Sequence, residues 1–333
     1  MKTLIGLLFF LILTSNSHAQ WKSDELGDDY EQMQLQFPDD YEGKVIATLV
    51  HKKSELPDSA QAILYVHGFS DYFFQTHMAD YFTEQGYHFY AVDLRKYGRS
   101  HLEGQKWFNV RDLHEYFPEI DSSLAIIQAQ VSGNICLMGH STGGLITALY
   151  AAEHQDSKTF SSLILNSPFF DMNLSTFTEN VLVPIGEFNG SFLPDIVLEG
   201  ELAVYYNHSI HKDYKGEWNY RFDYKPLDAP AVTLGWIRAI RQGQKTVQNG
   251  IKINQPVLIL HSDKTIFDKS WSDVFFTGDA VLDVEDIKKY SKSISGPISI
   301  IEIPNAMHDV ILSKSPVRDS AFATMKTFIE RNN

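Results

Sequence analysis

The chain has 333 residues, 44% of them apolar, enough for one large α/β domain with an inserted subdomain or for two small domains. Its 28 basic and 42 acidic residues give a formal charge of −14, which speaks against nucleic acid and against attraction to anionic membranes. Apolar, transient contact with a lipid surface stays open, and nothing in the composition implies a protein partner.

The N-terminus reads as an export signal. Met1-Lys2-Thr3 carries the positive charge, Leu4 to Leu13 is the apolar run, and Ser17-His18-Ala19 fits a small-x-small cleavage pattern. The run is short against the roughly 20 residues of a membrane span, so removal of residues 1–19 is expected. The mature chain would begin near Gln20, in a periplasm or outside a bacterial cell. No cysteine follows the run, which argues against a lipoprotein anchor. The one cysteine, Cys136, lies in an apolar strand and reads as a small buried hydrophobe.

Residues 20–43 are polar, acidic and aromatic and read as an arm laid on the surface. Val45 to Val50 alternates as a strand, Leu56-Pro57-Asp58-Ser59 is a turn, and Ala62 to Val66 is a more fully apolar strand suited to a sheet centre. His67-Gly68-Phe69-Ser70 follows. Phe73 to Gln85 has helical periodicity, with Gly86 as its C-cap, and Tyr87 to Val92 is a third strand. Asp93-Leu94-Arg95-Lys96-Tyr97-Gly98-Arg99-Ser100 comes next, then a helix over Ile120 to Val131. The strand Ile135 to Met138 runs through a tight turn into a helix, Leu145 to Ala152. Ser162 to Asn166 is another strand. Strand and helix alternating at this spacing indicate βαβ units and a mainly parallel sheet.

From about Pro168 the alternation stops. Residues 169–250 are rich in aromatics, among them Phe169, Phe177, Phe188, Phe192, Tyr206 and Trp218, with one clear helix over Ala231 to Gln242. This stretch reads as an inserted lid. Alternation resumes with the strand Val257 to Leu260, a helix over Val284 to Ser293, the strand Ile298 to Ile303 and a final helix from Val317 to Arg331. The expected domains are thus a core over 20–168 and 251–333, with an insertion over 169–250.

The turn after Met138 is Gly139-His140-Ser141-Thr142-Gly143, a G-x-S-x-G nucleophile elbow. A serine hydroxyl attacks only when it stands clear of the backbone, so the bend must be sharp, and glycines must flank it where strand and helix cross closely. Serine needs a base. His308, in Asn305-Ala306-Met307-His308-Asp309 after the last strand, falls at the same sheet end as the elbow. His67 precedes a glycine and reads as a group that shapes its turn. His140 points away if Ser141 is exposed, and His261 is a distant rival. A carboxylate should fix the histidine from the loop after Val257 to Leu260, where Asp279 is preferred and Asp263 is the alternative; Asp283 reads as a helix N-cap. The oxyanion hole needs two donors, for which the N–H groups of Thr142 and Phe69 are placed.

His67-Gly68-Phe69, the run Asp93 to Ser100, Gly139 to Gly144 and the late Asp and His together resemble the α/β-hydrolase superfamily. They are most similar to its serine aminopeptidase-like branch, which holds monoglyceride lipases and lysophospholipases. The resemblance covers roughly residues 45–330. It implies an eight-stranded, mostly parallel sheet, a lid between the sixth strand and the next helix, and ester hydrolysis through an acyl-enzyme without cofactor. Lys96 stands where this family often has glycine, and the stretch from Asp263 to Asp279 is longer than usual. The sequence thus suggests an exported serine hydrolase of acyl esters of glycerol or lysophospholipid type. Two rivals stand beside it. One is an aminopeptidase, which would grip an α-amino group through an acid such as Glu187, Glu201 or Glu217. The other is a non-catalytic binding protein of the same fold.

Overall fold

A computed structural model describes residues 20–332 except 57–59, 174–177, 179–181, 200–203 and 229. Residues 1–19, where an export signal is expected, most of the turn Leu56 to Ser59, Phe177 and Glu201 therefore lie outside the described residues.

A nine-stranded sheet runs through the molecule. Its strands in chain order are β1 (Lys22–Asp24), β2 (Gly27–Asp40), β3 (Gly43–Lys52), β4 (Gln61–Val66), β5 (Tyr87–Asp93), β6 (Ile135–His140), β7 (Ser162–Asn166), β8 (Val257–Ser262) and β9 (Ile298–Ile303). In space they follow the order β1-β2-β3-β5-β4-β6-β7-β8-β9. From β5 across to β9 every neighbouring pair is parallel, whereas β1, β2 and β3 join antiparallel at one edge. Parallel strands need crossovers, and those segments supply helices α1 (Thr76–Glu84), α2 (Phe117–Gln130) and α3 (Thr142–Glu153). Helices on both faces leave the central strands apolar over most of their length, as in Ala62–Val66 of β4 and Ile135–Met138 of β6. Side-chain alternation divides the buried residues into two cores: Ala62, Leu64 and Val66 enter one, Ile63 and Tyr65 the other.

The N-terminal stretch departs from the expected surface arm. Residues 22–40 form β1 and β2, and β2 pairs with β3 from Tyr30↔Lys52 to Asp40↔Gly43. The reason is legible in hindsight: Gln32-Met33-Gln34-Leu35-Gln36-Phe37 alternates, and Met33 and Leu35 are buried. This hairpin also raises the strand count of the sheet above the expected eight.

The hairpin explains Lys96. Its backbone is left-handed, φ +65°, the conformation glycine adopts at little cost. A lysine is accommodated there by its ammonium, which is fully buried and reaches Asp40 at 2.8 Å and Glu42 at 2.7 Å from the β2–β3 turn.

Residues 169–250 hold α4 (Val183–Gly190), α5 (Val204–Ile210) and α6 (Leu234–Gln248) among the described residues. Helix α6 starts later than expected, at Leu234, because the Thr233 hydroxyl caps it by accepting from the Trp236 N–H at 3.1 Å. Helices α4 and α5 carry no clear sequence signal; α4 contains Pro184 and two glycines, and α5 has seven residues. Two further helices, α7 (Val284–Ser291) and α8 (Ser315–Arg331), flank β9 in sequence. Asp283 caps α7 through the Glu285 N–H, as the sequence suggested. Among the described residues no helix is long and apolar enough to cross a membrane.

Candidate active site

Strand β6 delivers Ser141 into a bend with φ +52° and ψ −116°, outside the basins open to L residues. Such strain costs on the order of 1–3 kcal/mol and persists only where neighbours fix it. Three backbone bonds do so: Ser141 N–H donates to the Asn166 carbonyl at 2.9 Å, and the Ser141 carbonyl accepts from Leu145 at 3.1 Å and Phe169 at 3.0 Å. The glycines are required sterically. A Cβ on Gly139 would collide with the Gly143 carbonyl and the Thr147 hydroxyl, and one on Gly143 with the carbonyls of Val66 and His67. Helix α3 starts at Thr142, so its electropositive end faces the serine.

His308 follows β9 in a buried loop. Its Nδ1 lies 2.9 Å from Asp279 Oδ2. An ionised carboxylate only accepts, so a neutral imidazole paired with it carries its proton on Nδ1 and has the Nε2 lone pair to offer. Asp279 is itself held: its Oδ1 accepts from the N–H groups of Val281 and Leu282, both at 2.8 Å, and its main chain pairs with Lys264 and Ile266 across the loop. Asp263, the alternative acid, has another task; its Oδ1 accepts from the Asn305 N–H at 2.7 Å, fixing a residue with φ +59°. Ser141 and His308 line one cavity, with no hydrogen bond between their side chains. In hydrolases without substrate this contact is often long.

The loop after β4 closes over the elbow. A Cβ on Gly68 would come within 3.1 Å of Ser141 Cβ, so this loop approaches the nucleophile as only glycine allows. The N–H groups of Phe69 and Thr142 find no protein acceptor among the described residues, and both residues line the cavity. His67 shapes the turn, as its position suggested. Its Nε2 accepts from the Leu94 N–H at 3.1 Å and its Nδ1 donates to the Gly68 carbonyl at 2.8 Å. His140 lies beside the site, its Nδ1 donating to the Asn166 carbonyl at 3.2 Å, and burial pushes its pKa down, keeping it neutral. His261 donates from Nδ1 to the Ser262 carbonyl and does not line the cavity.

The cavity measures about 620 Å³ and has two chemical halves. Met172, Leu182, Val183, Leu198, Trp236 and Ile237 form an apolar wall, drawn mostly from residues 169–250. Asp71, Tyr206, Lys225 and Asp309 form a polar one. Lys225 Nζ lies 3.3 Å from both Asp71 Oδ1 and the Ser70 carbonyl. Burial, with Asp309 beside it, holds the Tyr206 hydroxyl well above the usual tyrosine range and therefore protonated. Sequence reading missed this polar half. Asp71 stands two residues past Phe69 and could have been noticed; Lys225 sits in a stretch without periodicity. Of the acids suggested for gripping an amine, Glu187 pairs with Lys245 at 2.6 Å and Glu217 with Arg318 and Lys314, and neither lines the cavity.

An elbow serine beside a carboxylate-oriented histidine, at the carboxyl ends of a mostly parallel sheet, defines a hydrolase of the α/β-hydrolase fold. The family model described as serine aminopeptidase, S33, matches residues 57–312, and the chain belongs to that family. Among solved structures the chain is similar to a soluble variant of monoglyceride lipase from Saccharomyces cerevisiae in complex with a substrate analog. The two are 17% identical, with 90% of this chain and 96% of that one covered and a TM-score of 0.66. It is similar too to the monoacylglycerol lipase of Paleococcus ferrophilus, at 17% identity, with 90% and 99% covered and a TM-score of 0.63. A third similar structure is Est1E from Butyrivibrio proteoclasticus with ferulic acid bound, at 17% identity, 86% and 96% coverage and a TM-score of 0.54. A comparison with proteins of curated function returns no match.

Proposed function

We propose that the protein hydrolyses carboxylic esters through an acyl-enzyme, on acyl esters of glycerol or lysophospholipid type. The observation that carries this reading is the 2.9 Å Asp279–His308 hydrogen bond opening on the same cavity as the strained Ser141. Ser141 Oγ attacks the ester carbonyl while His308 Nε2 takes its proton. Asp279 holds the imidazole in the tautomer able to do so and stabilises the imidazolium that results. The N–H groups of Phe69 and Thr142 receive the oxyanion. His308 then protonates the departing alcohol, and the acyl group stays on Ser141. Water, deprotonated by His308, attacks the acyl carbonyl; the bond to Ser141 Oγ breaks, His308 returns the proton to that oxygen, and the acid leaves.

The apolar wall suits an acyl chain and the polar half suits a hydroxylated alcohol, which favours esters of amphiphiles over peptides. Residues 169–250 act in this reading as a lid. Leu182 and Leu198 line the cavity, and the same stretches of chain carry Ile185, Phe188, Phe192 and Val197, all well exposed, with the Phe188 and Phe192 rings 5.4 Å apart. Transient seating on a lipid surface through this patch belongs to the same proposal, as does export with cleavage after Ala19, which mass spectrometry of the secreted chain would check.

The test is hydrolysis of short and long p-nitrophenyl esters and of a monoacylglycerol, compared with an aminoacyl-naphthylamide. Ester turnover that disappears in Ser141→Ala supports the reading. Turnover confined to the naphthylamide favours the peptidase, and no covalent labelling by a fluorophosphonate favours a binding protein.

A further inference from the structure

Asn166 ends β7 between β6 and β8, buried, at the end of the apolar run Leu163-Ile164-Leu165. A polar amide there is costly unless its oxygen and nitrogen both find partners, and both do. Its main-chain carbonyl accepts from the Ser141 N–H at 2.9 Å and from His140 Nδ1 at 3.2 Å. Its side-chain Nδ2 donates to Asp309 Oδ1 at 2.6 Å, and its Oδ1 accepts from the Val310 N–H at 3.3 Å. One residue thus holds the nucleophile's bend with its main chain and the histidine's loop with its side chain, across 143 residues of sequence. Of the hydrogen-bond partners of residues 305–310 among the described residues, Asn166 alone also bonds to Ser141.

We infer that Asn166 is a positioning residue that sets the separation and angle between Ser141 Oγ and His308 Nε2. The inference rests on the reading that those two groups carry the chemistry. Asn166 does not line the cavity, so it acts through the two segments it joins and not on substrate. The chemistry of the side chain is specified on both sides. Asp309 presents a carboxylate and needs a donor; Val310 presents an N–H and needs an acceptor. Asparagine supplies both at this reach. Aspartate supplies only the acceptor, and serine is too short to span to Asp309.

Asn166→Asp sets two carboxylates against each other at a hydrogen-bond separation, where both cannot be ionised without displacing the loop. With a soluble p-nitrophenyl ester at neutral pH, kcat should fall about 100-fold, with KM within about twofold, as displacement of reacting groups by an ångström implies. The pH profile is the signature that a merely structural role would not move. As pH falls, Asn166→Asp should gain activity relative to wild type, because one proton shared between the two carboxylates rebuilds the bond to Asp309. Adding Asp309→Asn to Asn166→Asp reverses donor and acceptor and should recover at least about tenfold in kcat, by the same positional argument. A kcat for Asn166→Asp within twofold of wild type, or a double variant no better than the single one, overturns the inference. If Asn166→Asp does not fold, Asn166→Ser replaces it; a KM-neutral loss of kcat supports the inference and a wild-type kcat overturns it. Ser141→Ala is run alongside. Residual turnover there strikes the parent reading, whereas a dead Ser141→Ala beside fully active Asn166 variants strikes this inference alone.

Discussion

His308 Nδ1 donates to Asp279 Oδ2 at 2.9 Å, while the Asp279 oxygen turned away from the imidazole accepts two backbone N–H groups at 2.8 Å. Three donors converge on one fully buried carboxylate, which fixes its position and presents an acceptor to the histidine Nδ1. Asp279→Asn should therefore lower kcat by roughly 10³–10⁴-fold, because an amide can present its N–H to the imidazole and favour the wrong tautomer. Asp263→Asn should change kcat less than about threefold, since among the described residues the Asp263 side chain bonds only the Asn305 N–H in the neighbouring loop. Steady-state hydrolysis of a p-nitrophenyl ester by the two variants checks the pair; the reverse ranking would move the acid to Asp263.

Lys96 is a fully buried cation between two carboxylates of the β2–β3 turn. Removing it leaves Asp40 and Glu42 facing each other with their attraction gone. Lys96→Met should destabilise the fold by about 3–5 kcal/mol, the usual result of breaking one side of a buried ion group. Urea unfolding followed by tryptophan fluorescence measures it.

Two histidines make the fold sensitive to mild acid. Burial, reinforced by His88 and Lys53, pushes the His51 pKa from 6.5 down to about 3, and burial pushes that of His77 down to about 4. His51 stacks on Tyr90 at 4.1 Å between ring centroids and His77 on Trp218 at 3.9 Å. Between pH 6.5 and about 4 the unfolded chain binds protons that the folded chain refuses. Stability is then complete above pH 6.5 and falls as pH drops through that window, by about 1.4 kcal/mol per pH unit for each group. Urea unfolding at pH 7.5, 6 and 5 should show the decline, and His51→Phe should remove about one proton's share of the slope.

Much of the fold was legible because its signals are local. Ile135 to Met138 is an unbroken apolar strand, Gly139 and Gly143 flank the serine, and Asp283 stands where α7 begins. Ser141 and His308 could be named for the same reason: topology puts both at the carboxyl ends of parallel strands. Signals that depend on partners far away in sequence were not legible. Nothing near Lys96 announces that residues 40 and 42 will neutralise it. Nothing near Lys225 or Tyr206 says that they will meet Asp71 and Asp309 in one cavity. The alternation of Gln32 to Phe37 was present, but the acidic residues before it masked a strand as an arm. Helix α4 was hidden by Pro184, Gly186 and Gly190, since its contacts with α6, and not propensity, hold it.

Phe188 and Phe192, on and just after α4, the helix whose Val183 and Gly186 line the cavity, are 67% and 70% exposed. If this patch seats the enzyme on lipid, Phe188→Ser with Phe192→Ser should cut turnover of an emulsified long-chain ester about tenfold, through roughly 1.4 kcal/mol of lost apolar contact. Turnover of a soluble short-chain ester should stay unchanged. Equal loss on both substrates would place the two rings in the structure of the lid and not on a surface.

The most direct measurement is intact-protein and peptide mass spectrometry after brief exposure to a fluorophosphonate, on wild type and on Ser141→Ala. One adduct per wild-type chain, on the peptide carrying Ser141, and none on the alanine variant at an unchanged melting temperature, is the result expected of a nucleophile activated by His308. An adduct on another residue, or ester turnover that survives in Ser141→Ala, would contradict it.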